Sequence, residues 1–249
     1  MSISNKPAAA VILTLILLAS NSIASAAGPD KHKPRRTART STRPLTRAEM
    51  KEVEQRLSDM GYWSGPVDGI IDSTTKTALE AFQKWEGRDV TARLTRSEFD
   101  AIANAGAPQP KETGYRHVEV DVDRQVLLLV DDDGSVKRVL PISTGSGKRY
   151  DEKGIKDLAY TPKGRFRIYN KLSGWKKSPL GLLYYPNYFS DGLAIHGNPS
   201  VPSEPESHGC IRIPMFAAEE MSEELPIGTI VLIYDKRSFV SARDWAANR

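Results

Sequence analysis

Residues 207–212 read SHGCIR and hold the single cysteine of a 249-residue chain. A thiol attacks carbonyl carbon as its thiolate, and a free cysteine is mostly protonated at neutral pH. An imidazole that takes this proton and hands it to a leaving amine turns Cys and His into a nucleophilic pair. His208 stands two places before Cys210 and His196 fourteen, while His32 and His117 are remote in the chain. Gly209 permits the backbone to bring its own N–H and that of Cys210 toward one point, as an oxyanion site needs. Two imidazoles and a thiolate are also acceptable zinc ligands. Against zinc, His-x-Cys spacing is uncommon and no His-Glu-x-x-His helix accompanies it.

These residues need strands to hold them. In a strand Ile211 and Ile213 share one face and Cys210 and Arg212 the other, so the isoleucines enter a core and the thiol faces away from it. The same reading of LAIHG turns Leu193 and Ile195 inward and His196 outward, to meet the thiol from a neighbouring strand. Period-two alternation over 117–122, 125–130 and 136–142 predicts three strands, with Asp133-Gly134 as the hairpin between the last two. Further strands are expected at 164–169, 192–196, 210–213 and 229–234, and one helix at 215–224. Residues 171–179 form a candidate lid. STGSGKR departs from a phosphate loop at Ile142 and Arg149. Asp131, Asp132 and Asp133 lack the later acidic ligand of a calcium loop. Both are read as turns.

The N-terminal half has a different rhythm. Met50, Val53, Leu57 and Met60 recur at helical spacing between a capping Thr46 and a terminating Gly61. A Gly/Pro/Asp turn leads to a second helix with Ala78, Leu79, Phe82 and Trp85 inside, and a third helix is expected near 95–103. About 60 residues make a small core, which suits a binding module better than an enzyme. Tyr62 and Trp63, beside an Asp-Gly loop, either stack on sugar faces or act as hydrophobic staples.

Residues 1–27 combine one Lys, an apolar run over 8–19 and small residues at Ala24 and Ala26, the layout of a cleaved secretory signal. The run is too short to span a bilayer. Export makes a lone cysteine a free thiol or an intermolecular one. Residues 28–43 are basic and proline-bearing and cannot bury a core. The first 43 residues hold 7 of the 35 Lys and Arg and 1 of the 31 Asp and Glu, leaving 28 basic against 30 acidic. The basic pI therefore belongs to the leader and does not argue for nucleic-acid binding.

Two resemblances follow from quoted motifs. GYWSGPVDGIIDSTTKTALEAFQ, with its Gly-Tyr, Pro-x-Asp-Gly and Ala-x-x-x-Phe-Gln elements, resembles the peptidoglycan-binding three-helix module. HGNPSVPSEPESHGCIR, over residues 196–212, resembles the signature of the L,D-transpeptidase catalytic domain, the YkuD type. YTPKGRFRI, PISTG and LPIGTIVLIY support it over residues 115–236. The resemblance implies a β-rich, sandwich-like catalytic domain preceded by a small three-helix all-α module. It implies a peptidoglycan L,D-transpeptidase that forms 3→3 cross-links through a cysteine thioester and releases terminal D-alanine. A cysteine-dependent L,D-carboxypeptidase or hydrolase acting on wall stems is the alternative.

Carried onto this chain, Cys210 is the nucleophile and His196 the general acid/base, oriented by the Gly197 carbonyl. His208, Gly209 and the Cys210 backbone shape the oxyanion site. Arg212 favours the thiolate or grips a stem carboxylate. Substrate-groove candidates are Ser207, Tyr184, Tyr185 and Tyr188, although Ser207 also suits a turn hydrogen bond and the tyrosines a core. The expected division is signal peptide 1–27, basic linker 28–43, helical module 44–105, linker 106–114, catalytic domain 115–236 and tail 237–249. The expected partners are peptidoglycan stem peptides and glycan, in the periplasm or cell wall, with no cofactor, no metal, no nucleic acid and no membrane span after signal cleavage. The oligomeric state is not legible.

Overall fold

The computed structural model describes residues 43–237. The expected signal, all of the basic linker before Arg43 and the tail beyond residue 237 lie outside these residues. Three helices come first: α1 (Arg47–Asp59), α2 (Ser73–Trp85) and α3 (Arg96–Asn104). Each begins where a side chain satisfies a backbone N–H that the helix leaves without a partner. Thr46 and Glu49 form a capping box, Asp72 accepts from Thr75, and Thr95 accepts from Glu98. The Asp-Gly loop between α1 and α2 is held from inside, since the buried Glu54 carboxylate accepts the N–H groups of Asp68 at 2.9 Å and Gly69 at 2.7 Å.

The remainder is β-rich. Strands β1 (His117–Asp121), β2 (Val126–Val130) and β3 (Val136–Pro141) are followed by the hairpin β4 (Arg149–Glu152) and β5 (Ile155–Leu158). Next come β6 (Gly164–Arg167), β7 (Asn170–Lys171), β8 (Trp175–Ser178), β9 (Gly181–Ser190), β10 (Leu193–Asn198), β11 (Ile211–Pro214) and β12 (Ile230–Tyr234). A 3-10 turn at Met215–Ala217 leads into α4 (Ala218–Glu224). One sheet runs β3-β2-β1-β12-β6; a second runs β11-β10-β9-β7, with β8 also on β9; β4 and β5 pair only with each other. The last strand, β12, lies parallel to β1 in the interior of the first sheet.

β2 shows how the parts join. Its sequence, VLLLV, is apolar at every position and buried at every position. Leu127 and Leu129 face a core with Val118, Val120, Ile195, Ile211 and Val231, whereas Val126, Leu128 and Val130 face a second core with Tyr62, Ala78, Phe82 and Leu57. The three helices thus cover the outer face of the sheet. Tyr62 is 2% exposed and stacks edge-on against Phe82. It is therefore a staple and not a sugar platform. Val139 N–H donates to the Gly61 carbonyl at 2.8 Å. Gly61 has φ +88, and a Cβ there would lie 2.7 Å from the Val136 carbonyl oxygen, so no other residue fits. Trp63 packs edge-on against Phe216 with Arg138 over its ring. At the other end Lys84, buried on α2, donates to the Ile142 carbonyl at 3.3 Å.

The strand β9 was not expected. It carries Pro186 and slips register against β10 twice, which erases any period-two pattern. The candidate lid, residues 171–179, supplies Lys171 of β7 and all of β8, both paired on β9.

Candidate active site

β10 and β11 run parallel, pairing Ile195 with Ile211, His196 with Arg212 and Gly197 with Ile213. Ile211 and Ile213 are fully buried in the core, as the alternation requires, and Cys210, Arg212 and His196 all line one groove of about 650 Å³ on the other side. Leu193 departs from the expectation. It reaches the groove lining while still touching the core, because the first register slip falls between Leu193 and Ala194. The second slip falls between Ile195 and Gly197, and Tyr185 on the bulged strand takes φ +48. Bulges next to a site re-aim side chains, and His196 is the residue at the second slip.

His196 is 2% exposed and its Nδ1 lies 2.9 Å from the Gly197 carbonyl. A carbonyl only accepts, so the neutral ring carries its proton on Nδ1 and keeps a lone pair on Nε2. Burial pushes the imidazole down to about 4; Arg212 adds to this and the Gly197 carbonyl opposes it. Burial pushes the half-buried Cys210 thiol up, while the Ala194 N–H and the Arg212 guanidinium pull it down. The thiol and the imidazole that line this groove are therefore both neutral at rest. Gly197 admits no side chain: a Cβ would lie 2.6 Å from that of Ala218.

The loop before Cys210 is held by its own backbone. Ser207 Oγ donates to the Cys210 carbonyl at 2.6 Å and accepts the Gly209 N–H at 3.0 Å. The Gly209 N–H is thereby committed to Ser207 instead of pointing with that of Cys210 toward one oxyanion. Thr161 Oγ1 donates to the Gly209 carbonyl at 2.7 Å and accepts the Gly145 N–H at 2.9 Å. Gly209 has φ +141, with room for no Cβ beside the Tyr160 carbonyl. Ser143 exchanges both backbone bonds with Arg212, at 3.0 and 3.1 Å, tying the strand end of PISTG to the Cys210 segment. Thr144, Gly145 and Thr161 are supports that the sequence reading left unassigned; their signal was their place in PISTG and YTPKG.

Of the remaining candidates, His208 lines the groove, but its Nε2 lies 3.2 Å from Glu152 and its ring meets Tyr150 edge-on. Ser207 also lines it. Tyr188 is half-buried near the thiol, its phenol pushed up by burial and then by Cys210. Tyr184 and Tyr185 are not part of the lining: both pack against the core, and the Tyr185 hydroxyl donates to Glu219 at 2.6 Å. Among the described residues no group of three His, Cys, Asp or Glu side chains is arranged to hold a metal ion. None of the described helices is long and apolar enough to cross a membrane.

The fold and groove define a β-rich domain with a cysteine-bearing groove, covered on one face by helices. Residues 115–233 match the YkuD L,D-transpeptidase catalytic domain and residues 46–102 a putative peptidoglycan binding domain. The solved L,D-transpeptidase of Xylanimonas cellulosilytica DSM 15894 is 37% identical with a TM-score of 0.71, over 78% of this chain and 95% of that one. An L,D-transpeptidase from Stackebrandtia nassauensis is 21% identical with a TM-score of 0.45, over 74% and 90%. No curated protein matches the chain. The chain belongs to the L,D-transpeptidase family. Its two matched domains point to peptidoglycan as the substrate and to action outside the cytoplasm.

Proposed function

We propose that the protein forms 3→3 cross-links in peptidoglycan through a thioester on Cys210. His196 Nε2 accepts the thiol proton as sulfur attacks the carbonyl carbon of the third stem residue. The tetrahedral oxyanion is met by the Cys210 N–H, since that of Gly209 is engaged by Ser207. Collapse breaks the amide bond, and His196 returns the proton to the leaving amine of D-alanine. An amine on a second stem then attacks the thioester, loses its proton to His196 and releases the thiol. Arg212 favours the thiolate or grips a stem carboxylate. The observation that carries this reading is the Nδ1 bond from His196 to the Gly197 carbonyl, which leaves Nε2 unprotonated in the groove that Cys210 lines.

A neutral pair suits the chemistry. The thiol is kept from adventitious oxidation by its raised pKa, and the base is free above about pH 4. The helical module supplies contacts to glycan through surfaces other than Tyr62. The chain is exported by its first 27 residues to the periplasm or cell wall, with residues 44–105 and 115–236 as module and catalytic domain.

The test is intact-mass spectrometry with a disaccharide-tetrapeptide, run beside Cys210→Ala. The expected result is a gain equal to the stem minus D-alanine, absent in the variant and followed by cross-linked dimers. Adducts that yield only tripeptide would assign the protein as a hydrolase. No adduct with any stem would sink the assignment of Cys210 chemistry to this substrate.

A further inference from the structure

The hairpin Arg149–Leu158 belongs to neither main sheet. Its tip, Lys153-Gly154, has φ +52 and +79, the pattern of a two-residue type I′ turn. At its base the Gly147 N–H donates to the Ala159 carbonyl at 2.7 Å and the Ala159 N–H to the Lys148 carbonyl at 2.9 Å. A two-stranded ribbon alone is marginal in water, so its position depends on what it touches away from its base. It touches His208: Glu152 Oε1 lies 3.2 Å from Nε2, and the Tyr150 ring lies edge-on with centroids 4.6 Å apart.

The same ribbon gives the groove Tyr150, Ile155 and Leu158, and β8–β9 gives it Leu180 and Leu182. Leu158 is 42% exposed and Leu182 56%, so this apolar lining is left for a ligand to cover. The two histidines are also differently committed. His196 is buried, with one nitrogen on its own backbone and the other unoccupied by that bond, whereas the Nε2 of His208 is engaged with the ribbon.

We infer that the β4–β5 hairpin is a hinged lip of the groove, latched closed by Glu152 and Tyr150 on His208. His208 is then a positioning residue for the lip, and the proton traffic belongs to His196. For stem peptides this rests on the function proposed above: the closed lip retains the acyl donor over the thiol.

The experiment measures Cys210 alkylation in the full chain with two reagents, iodoacetamide and a bulky polyethylene-glycol maleimide, in wild type, Glu152→Gln and Tyr150→Ala. Glu152 is half-exposed, so its replacement is tolerated by the fold, and an exposed pair of this kind sets the size of the effect. The bulky reagent accelerates by about two- to fivefold in either variant while the iodoacetamide rate stays within the spread of the wild type. Acceleration of both reagents alike, of iodoacetamide alone or of neither overturns the latch. With tetrapeptide donor, the variants raise KM more than they lower kcat. A fall in kcat at unchanged KM would return His208 to the chemistry and overturn the inference. If wild type takes no acyl group from any stem, the proposed function fails and the alkylation result still decides the lip.

Discussion

The two main sheets solve opposite problems. In the first, β1 keeps unbroken register with β2 and with β12 over all five residues, and β2 is buried on both faces. In the second, β9 slips twice against β10 within six residues and carries Pro186. The first sheet, slipped only where β3 meets β2 at Leu129/Val130, is apolar on both faces of β2 and makes a wall between two cores. The bulged sheet breaks its own alternation, and the second break falls at His196, which lines the groove with Cys210. Regularity supplies rigidity here, and irregularity supplies aim.

The largest separation between the two sheets comes from His196→Gln. Acylation by a tetrapeptide donor falls by about 10²- to 10⁴-fold while the melting temperature stays near that of wild type. Retained acylation would move the proton traffic to His208 and end the contrast. Leu128→Ala, on the outer face of the first sheet, costs about 2–5 kcal/mol, and Leu129→Ala on the inner face costs a similar amount. Because the helices and the catalytic core share that strand, the melt remains one transition in both variants, by far-UV and near-UV signals alike. Two separate transitions would mean that the helices are an independent module.

The third test uses pH. The folded-state pKa of His196 is depressed from 6.5 to about 4. Below pH 6.5 the unfolded chain takes a proton that the folded chain refuses until about pH 4, so stability falls as pH drops through that window. The loss is on the order of 3 kcal/mol by its lower end. In urea titrations His196→Gln flattens that slope, and an unchanged slope would refute the buried neutral ring. Carboxylates held low, such as Glu224, act only below their ordinary value of 4.5. The smallest effect is expected for Arg212→Met. With its guanidinium gone, the thiol pKa rises further, and iodoacetamide alkylation at pH 8 slows by less than about tenfold. Faster alkylation would reverse the sign assigned to Arg212.

Much of the first sheet was legible because β1, β2 and β3 announce themselves by their β-branched and aliphatic residues and an Asp-Gly turn. The Cys210 strand was legible for the same reason, with Ile211 and Ile213 marking the core side. β9 was not, since Pro186 and two bulges remove the period that a strand reading depends on. β4–β5 was not, because the few apolar residues of RYDEKGIKDL follow no period of two and the ribbon closes on a Lys-Gly turn. The docking of the helices had a signal that went unread: five consecutive apolar residues in β2 leave no face for water. The commitment of the Gly209 N–H to Ser207 had none, for a hydroxyl at that spacing fits several turns equally well.

The position of β12 carries a consequence for how the molecule comes into being. The strand that ends at Tyr234 sits between β1 and β6, strands drawn from much earlier in the chain. Until residue 234 is free to pair, the sheet ends at β1, and β6 has no strand in it to pair with. The three helices close local contacts and can form first; the groove cannot. The core under Ile211 and Ile213, which holds Cys210 at the groove, is complete only once Val231 and Ile233 have arrived.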